Sequence, residues 1–468
     1  MSRPVRSCVT TLTLTRTALL CAMLAVDPVG TSSLHAQEPL PLLSVEVELD
    51  AYGIERPDEV LRGRVAIAWH PDGPGLDVHY LRSDVLQPRP PTPEAPPTLE
   101  PVQGVAPDTR HTALWVWRTA EILADAGVRA AFLDFVERER ITRVFLHLPA
   151  GPGERAAEGF IPFSSDEIGP LVAEVRSRGA LTYALDGDRD YVRRENHAGV
   201  YRTVERIVQH NRSVPAGQRF HGVRYDIEPY LASGFQGPGR PELLDGYVEV
   251  LHGAARIAHA GGLAFGADIP FWFDARDEET GAYFEATFEG RRARLIEHVM
   301  AAVDDLAIMD YRTEVHGING AVAHAVGELV LAERMGVDVF VGVETGPLVD
   351  EDLYTFHGPV GEGLPPHPRA RWVVFESGAD GRTRLWLVEG QEALSTLASE
   401  LRNARLVRHW PAGRPARVSA RAQTFRNLGA ERFHDFSDEV VRHLSASPAF
   451  AGLALHDYTS LAELLDSR

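Results

Sequence analysis

The chain has no lysine: all 47 of its basic residues are arginine. Schiff-base chemistry through a lysine amine is thereby excluded. Cysteine is nearly absent, and the only two, Cys8 and Cys21, fall in the first 37 residues. That stretch reads as an export signal, with Arg3, Arg6 and Arg16, then the apolar run ALLCAMLAV, then small residues leading to Leu34-His35-Ala36-Gln37. Cleavage after Ala36 leaves a secreted or periplasmic chain without a thiol, so neither disulfides nor a cysteine nucleophile are expected. Leu20 stands where a lipoprotein signal wants a small residue before Cys21, which makes a lipid-anchored chain the lesser alternative. No later run of about eighteen apolar residues occurs, so no membrane span is expected. A basic surface is lacking too. The net charge of −19 argues against a nucleic-acid or anionic-membrane partner and suits a protein handling neutral substrates.

What is present divides the chain. Residues 87–110, rich in proline, read as an extended linker. Ahead of them, residues 40–86 hold three alternating or apolar runs, SVEVELDAYGI, GRVAIAWH and LDVHYLR. They read as a small β module, or as strands that dock on the main domain, because forty-odd residues without disulfides make a marginal core. From residue 111 to 468 short apolar runs alternate with helical patterns. Eight read as strands: 113–117, 143–148, 181–185, 222–228, 263–269, 305–311, 337–344 and 450–458. Eight such units predict an α/β fold, a (β/α)8 TIM barrel. Ser164 to Glu167 forms a capping box ahead of one helix, and Gly179 stops it. No Gly-x-Gly-x-x-Gly supports the open-sheet alternative. Between strands seven and eight an α+β insertion, about 347–425, is longer than ordinary loops. In it RWVVFE and RLWLVE flank GADGR as a hairpin.

The segment FHGVRYDIEPY, residues 220–230, puts Asp226 and Glu228 two positions apart at the end of strand four. Strand residues i and i+2 share a face, so both carboxyls are expected in one cavity, where one holds its proton to higher pH. In a barrel, polar residues at the C-terminal strand ends read as active site. Here they are Trp115, Trp117, His147, Asp186, Asp188, Tyr230, Asp268, Trp272, Asp310, Tyr311, Arg312, Glu344, His456 and Tyr458. Trp115, Trp117, Trp272, Tyr230 and Tyr458 among them suit stacking on sugar rings.

FHGVRYDIEPY resembles the strand-four signature of family 18 glycoside hydrolases, Asp-Gly-x-Asp-x-Asp-x-Glu. Aligned on Gly222, its last two acids fall on Asp226 and Glu228, while His221 and Arg224 replace the first two. Met309 and Tyr311 match the family's strand-six Met-x-Tyr. Together with IPFWFD, IMDYR, VGVET and LALHDY, the segment is similar to a group of secreted bacterial proteins with glycosidase-like barrels, which implies a fold rather than a substrate. The family resemblance implies that Glu228 protonates the glycosidic oxygen. It also implies that Asp226 orients a substrate N-acetyl group and that Tyr311 hydrogen-bonds the substrate.

Arg224 lies on the Asp226 face by period two, so an ion pair that lowers the Asp226 pKa is expected. Asp310 or Glu344 then stands in reserve as nucleophile or base, with Arg312 and His456 as orienting groups. The reading is an exported glycosidase with a carbohydrate substrate and with neither cofactor nor metal. Two alternatives stay open. One is a non-catalytic carbohydrate-binding barrel, favoured if Arg224 neutralises Asp226 and Glu228 lacks a raised pKa. The other is a metal-dependent phosphodiesterase or deacetylase, for which the acids and histidines suffice in number but no tight His-x-His or His-Glu-x-x-His spacing appears.

Overall fold

The computed structural model describes residues 111–148, 165–232, 235, 239–276, 281–317, 319–357, 371–377, 383–401, 406–412 and 416–466, with the strands Leu43–Val45, Arg62–His70 and Gly73–Arg82. The export signal, the proline-rich linker, Ser164 of the capping box and the tip of the insertion hairpin lie outside these residues.

All eight strands read from the sequence form and close into a parallel barrel. They are β1 (His111–Val116), β2 (Arg143–His147), β3 (Leu181–Asp186), β4 (Gly222–Tyr225), β5 (Ala264–Pro270), β6 (Asp305–Met309), β7 (Asp338–Glu344) and β8 (Phe450–His456). Each pairs with the next, and β8 returns to β1 through Gly452↔His111 to Leu455↔Leu114. The chain is thus an α/β (β/α)8 barrel. Its strands are continuous apolar runs because both faces are buried. Alternate residues enter two separate cores. Leu114, Val144, Ala184, Val223 and Tyr225 join the layer under the helices. Ala113, Trp115, Phe145, Tyr183, Leu185, Ala307 and Phe340 fill the interior. Gly179 has φ +90°, the left-handed turn that ends helix Ser165–Ser177.

The strand-four ladder is shorter than expected, stopping at Tyr225. One more bond, Asp226 N–H to the Asp186 carbonyl at 2.9 Å, carries the strand direction to Asp226. Glu228 then begins the 3-10 turn Pro229–Leu231, since Pro229 has no N–H for a ladder.

A second sheet is antiparallel and joins distant parts of the sequence. Its order runs Leu43–Val45, Thr383–Glu389, Arg371–Ser377, Leu406–Ala412, Asp350–His357, Arg62–His70, Gly73–Arg82, with Ala416–Val418 also on Asp350–His357. The N-terminal strand Arg62–His70 pairs with the insertion strand Asp350–His357 from Asp350↔Trp69 to His357↔Arg62. The N-terminal strands and the insertion are one sheet.

Candidate active site

Inside the barrel Arg224 is fully buried and does not pair with Asp226. Its Nε donates to Asp268 Oδ1 at 2.8 Å, its Nη1 to Asp305 Oδ1 at 2.5 Å and its Nη2 to the Ala267 carbonyl at 3.3 Å. Its guanidinium carbon lies 4.0 Å from the centroid of the Phe145 ring. Asp305 also holds Arg143 at 3.3 Å, and the second oxygen of Asp268 accepts from Trp115 Nε1 at 2.9 Å. Two arginines and two aspartates thus balance one another beneath the mouth. Gly266 makes this possible. A Cβ there would stand 2.3 Å from Arg224 Nη1 and 2.9 Å from Asp305 Oδ1.

The expected Arg224–Asp226 pair is therefore corrected. Arg224 is turned toward two other carboxylates, beneath the mouth. Asp226 Oδ1 is buried and has no hydrogen-bond partner among the described residues. Burial first, and then the nearby Glu228 and Asp268 carboxylates, push its pKa well above the ordinary range, the opposite of what was expected. Glu228 is half-buried and accepts a hydrogen bond from the Tyr230 hydroxyl. Burial raises its pKa to about 7, with the Tyr230 bond and His456 acting against the rise. Two carboxyls so placed keep at least one proton between them close to neutrality.

Across the mouth, Glu344 and His456 form a unit. His456 Nδ1 lies 2.9 Å from Glu344 Oε2, and the other Glu344 oxygen accepts from the Gly346 N–H at 2.5 Å. Trp117 Nε1 stands 3.0 Å from His456 Nε2. Burial lowers the His456 pKa, but the Glu344 carboxylate outweighs it by charge and hydrogen bond and lifts it to about 9. The Trp117 contact opposes that rise, because an indole N–H only donates and so needs a lone pair on Nε2. The upward direction stands, since the Asp226 and Asp457 carboxylates act the same way as Glu344. The rings of Tyr311, Trp115 and Trp117 surround His456 at 5.7, 5.8 and 6.4 Å, and His147 lies 5.5 Å from Trp117. Tyr230 packs against Trp272 at 5.4 Å, and the buried Trp272 Nε1 has no partner among the described residues.

The structure thus gathers Glu228, Asp226, Tyr230, Trp272, Asp268, Trp115, Trp117, His147, Tyr311, Glu344 and His456. Other expected residues fall elsewhere. Asp186 accepts from the Gly187 N–H at 2.9 Å and from the Tyr191 hydroxyl at 3.1 Å, and Asp188 caps the turn Arg189–Val192. Both brace their loop. Asp310 is buried behind the wall, 3.0 Å from His324 of helix Ala321–Met335. It neighbours Glu328, whose pKa is raised by burial and then by Asp274. Asp310 thus faces the helix layer, and both oxygens of Glu344 are engaged, one of them by His456. Arg312 lies 4.5 Å over the Phe271 ring. Tyr458 packs on Phe132 and Phe135 at 5.0 and 5.3 Å, among helices and not at the mouth.

Sequence reasoning missed Tyr247, on helix Arg240–Ala260. Its buried hydroxyl has no partner among the described residues, and burial, Asp226 and Asp268 all push its pKa up. Within the apolar helix stripe Leu243, Leu244, Tyr247, Leu251 it reads as core. Only its neighbours reveal the polar end.

No family model matches the chain, and no curated protein does. Solved structures resemble it in fold, chitinases among them. The chitinase of Chromobacterium violaceum is 15% identical with a TM-score of 0.35, over 77% of this chain and 100% of its own. The Group IV chitinase of Ostrinia furnacalis is 11% identical with a TM-score of 0.38, over 75% and 93%. The spore cortex-lytic enzyme SleL of Bacillus megaterium is 10% identical with a TM-score of 0.36, over 74% and 70%. Scores this low leave chemistry to the site's own geometry.

Proposed function

We propose that this chain is an exported glycoside hydrolase that cleaves a polysaccharide, with Glu228 as general acid. The observation that carries the reading is the pairing of Glu228, held by Tyr230 in an aromatic mouth, with a half-buried Asp226 whose buried Oδ1 has no partner among the described residues. A pKa of about 7 leaves a sizeable share of Glu228 protonated at neutrality, as donation to a leaving oxygen requires. As the glycosidic C–O bond breaks, its electron pair goes to the leaving oxygen, which takes the Glu228 proton, while a water oxygen bonds the anomeric carbon and gives a proton back to the Glu228 carboxylate. An acetamido substituent on the same sugar would supply a polar group to the unpartnered Asp226 Oδ1, so amino-sugar polymers are the first substrates to try. Both conditions that favoured a non-catalytic barrel fail: Arg224 does not neutralise Asp226, and the Glu228 pKa is raised. The ligand set for a metal-dependent hydrolase also disperses, since Asp186, Asp188 and Asp310 serve loops or the outer wall.

The test is release of sugar from chitin, peptidoglycan and galactosaminoglycan by the wild type and Glu228→Gln, with and without chelator. Chelator-insensitive release that falls by roughly 10²–10⁴-fold in the variant is expected. Binding without release in both proteins would leave the sugar-binding reading standing and sink this one.

A further inference from the structure

Helix Ala430–Leu444 runs up to β8, and on it Glu439 and His443 stand one turn apart. Positions i and i+4 share a helix face. Facing them is His316, from the segment that follows β6. Its Nε2 lies 2.8 Å from Glu439 Oε1, and the His316 and His443 ring centroids are 4.6 Å apart with an interplanar angle of 80°. One donor atom from each of the three residues lies within 4.8 Å of the others. Bonds of about 2.0–2.2 Å in a tetrahedron put donors about 3.3 Å apart, so small side-chain adjustments bring all three onto one ion. An ordinary histidine–glutamate ion pair needs only two residues. The third, an imidazole edge-on to the first, makes the set a His2Glu donor group of the kind zinc and its first-row neighbours take. His316 is exposed and the other two are half-buried, so an ion can enter and keep a water as its fourth ligand.

We propose that His316, Glu439 and His443 form a divalent metal site of zinc type, separate from the carboxyl pair at the barrel mouth. The ion would tie the segment after β6, which carries Tyr311, to the helix ahead of β8, which carries His456. Protein contacts across the same junction are polar: Arg432 Nη2 donates to Glu314 Oε2 at 2.9 Å and to the Thr313 carbonyl at 3.3 Å. The site therefore joins the two elements that hold one wall of the mouth in place.

Because the chain has 19 histidines, the test must separate this site from others. Full-length protein, stripped with chelator, is titrated with zinc by calorimetry beside His316→Ala, His443→Ala and Glu439→Gln, with circular dichroism checking that each variant folds. One zinc per chain is expected, weakened at least tenfold in either histidine variant, together with a zinc-induced rise in Tm that the variants lose. Cobalt in place of zinc should give the intense visible bands of a four-coordinate ion in the wild type alone. Zinc bound equally by the wild type and all folded variants, or not bound at micromolar protein, would overturn the proposal.

Discussion

At the scale of the residue, a carboxyl's environment decides its work. Glu228 and Glu344 both end barrel strands or the turns beyond them, yet one is lifted by burial and the other is spent on His456 and the Gly346 N–H. The Tyr230 hydroxyl tunes the first. It donates to Glu228 and so favours the carboxylate, holding down a pKa that still reaches about 7. In the proposed role Glu228 must be protonated to act as an acid, so activity should fall as pH rises through that value. Tyr230→Phe removes the bond, and at about 1 kcal/mol per hydrogen bond the alkaline limb of kcat/KM should move up by about 0.7 pH unit. A limb that stays where it was would mean that Glu228 is not the group titrating.

At the scale of the element, one glycine lets a strand carry an arginine inside a barrel. On β5 the inward positions run Ala264, Gly266 and Asp268, and the missing side chain at Gly266 is where Arg224 meets Asp305. Breaking a buried ion pair on one side leaves an uncompensated charge and costs about 3–5 kcal/mol. Gly266→Ala should therefore destabilise the protein by an amount in that range, seen as a lower midpoint in urea unfolding with an unchanged slope. A midpoint within error of the wild type would show that the guanidinium has other room. Period two also explains which expected site residues went astray. Asp305, Ala307 and Tyr311 share the interior parity of β6, and Asp310 has the other, so it meets the helix layer and His324. Asp186 stands to Leu185 in the same way. Tyr458 escapes the rule because it opens helix Tyr458–Asp466, where strand parity no longer applies.

At the scale of the whole molecule, the antiparallel sheet ties the N-terminal strands to an insertion nearly three hundred residues on. Without Arg62–His70 the strand Asp350–His357 would present a row of unpaired backbone groups, a template for association. Deleting residues 40–86 should make the chain elute earlier in size-exclusion chromatography than the full-length protein, as self-association would require. It should also lower the Tm of the melting transition. If the shortened chain elutes and melts as the full one does, the shared sheet is dispensable.

The order of the barrel strands was legible in the linear sequence, because strands buried on both faces are short apolar runs and the helices between them are amphipathic. So was the meeting of Asp226 and Glu228, which needs only local alternation. Partner choice was not. Whether Arg224 turns to Asp226 or to Asp268 and Asp305 depends on a gap at Gly266 on another strand, and the Asp350–His357 partner lies far away in sequence. Burial too belongs to the fold, and burial is what raises Glu228 and leaves Asp226 Oδ1 unpartnered. Local periodicity is written residue by residue, whereas charge pairing and desolvation exist only once distant strands share a space.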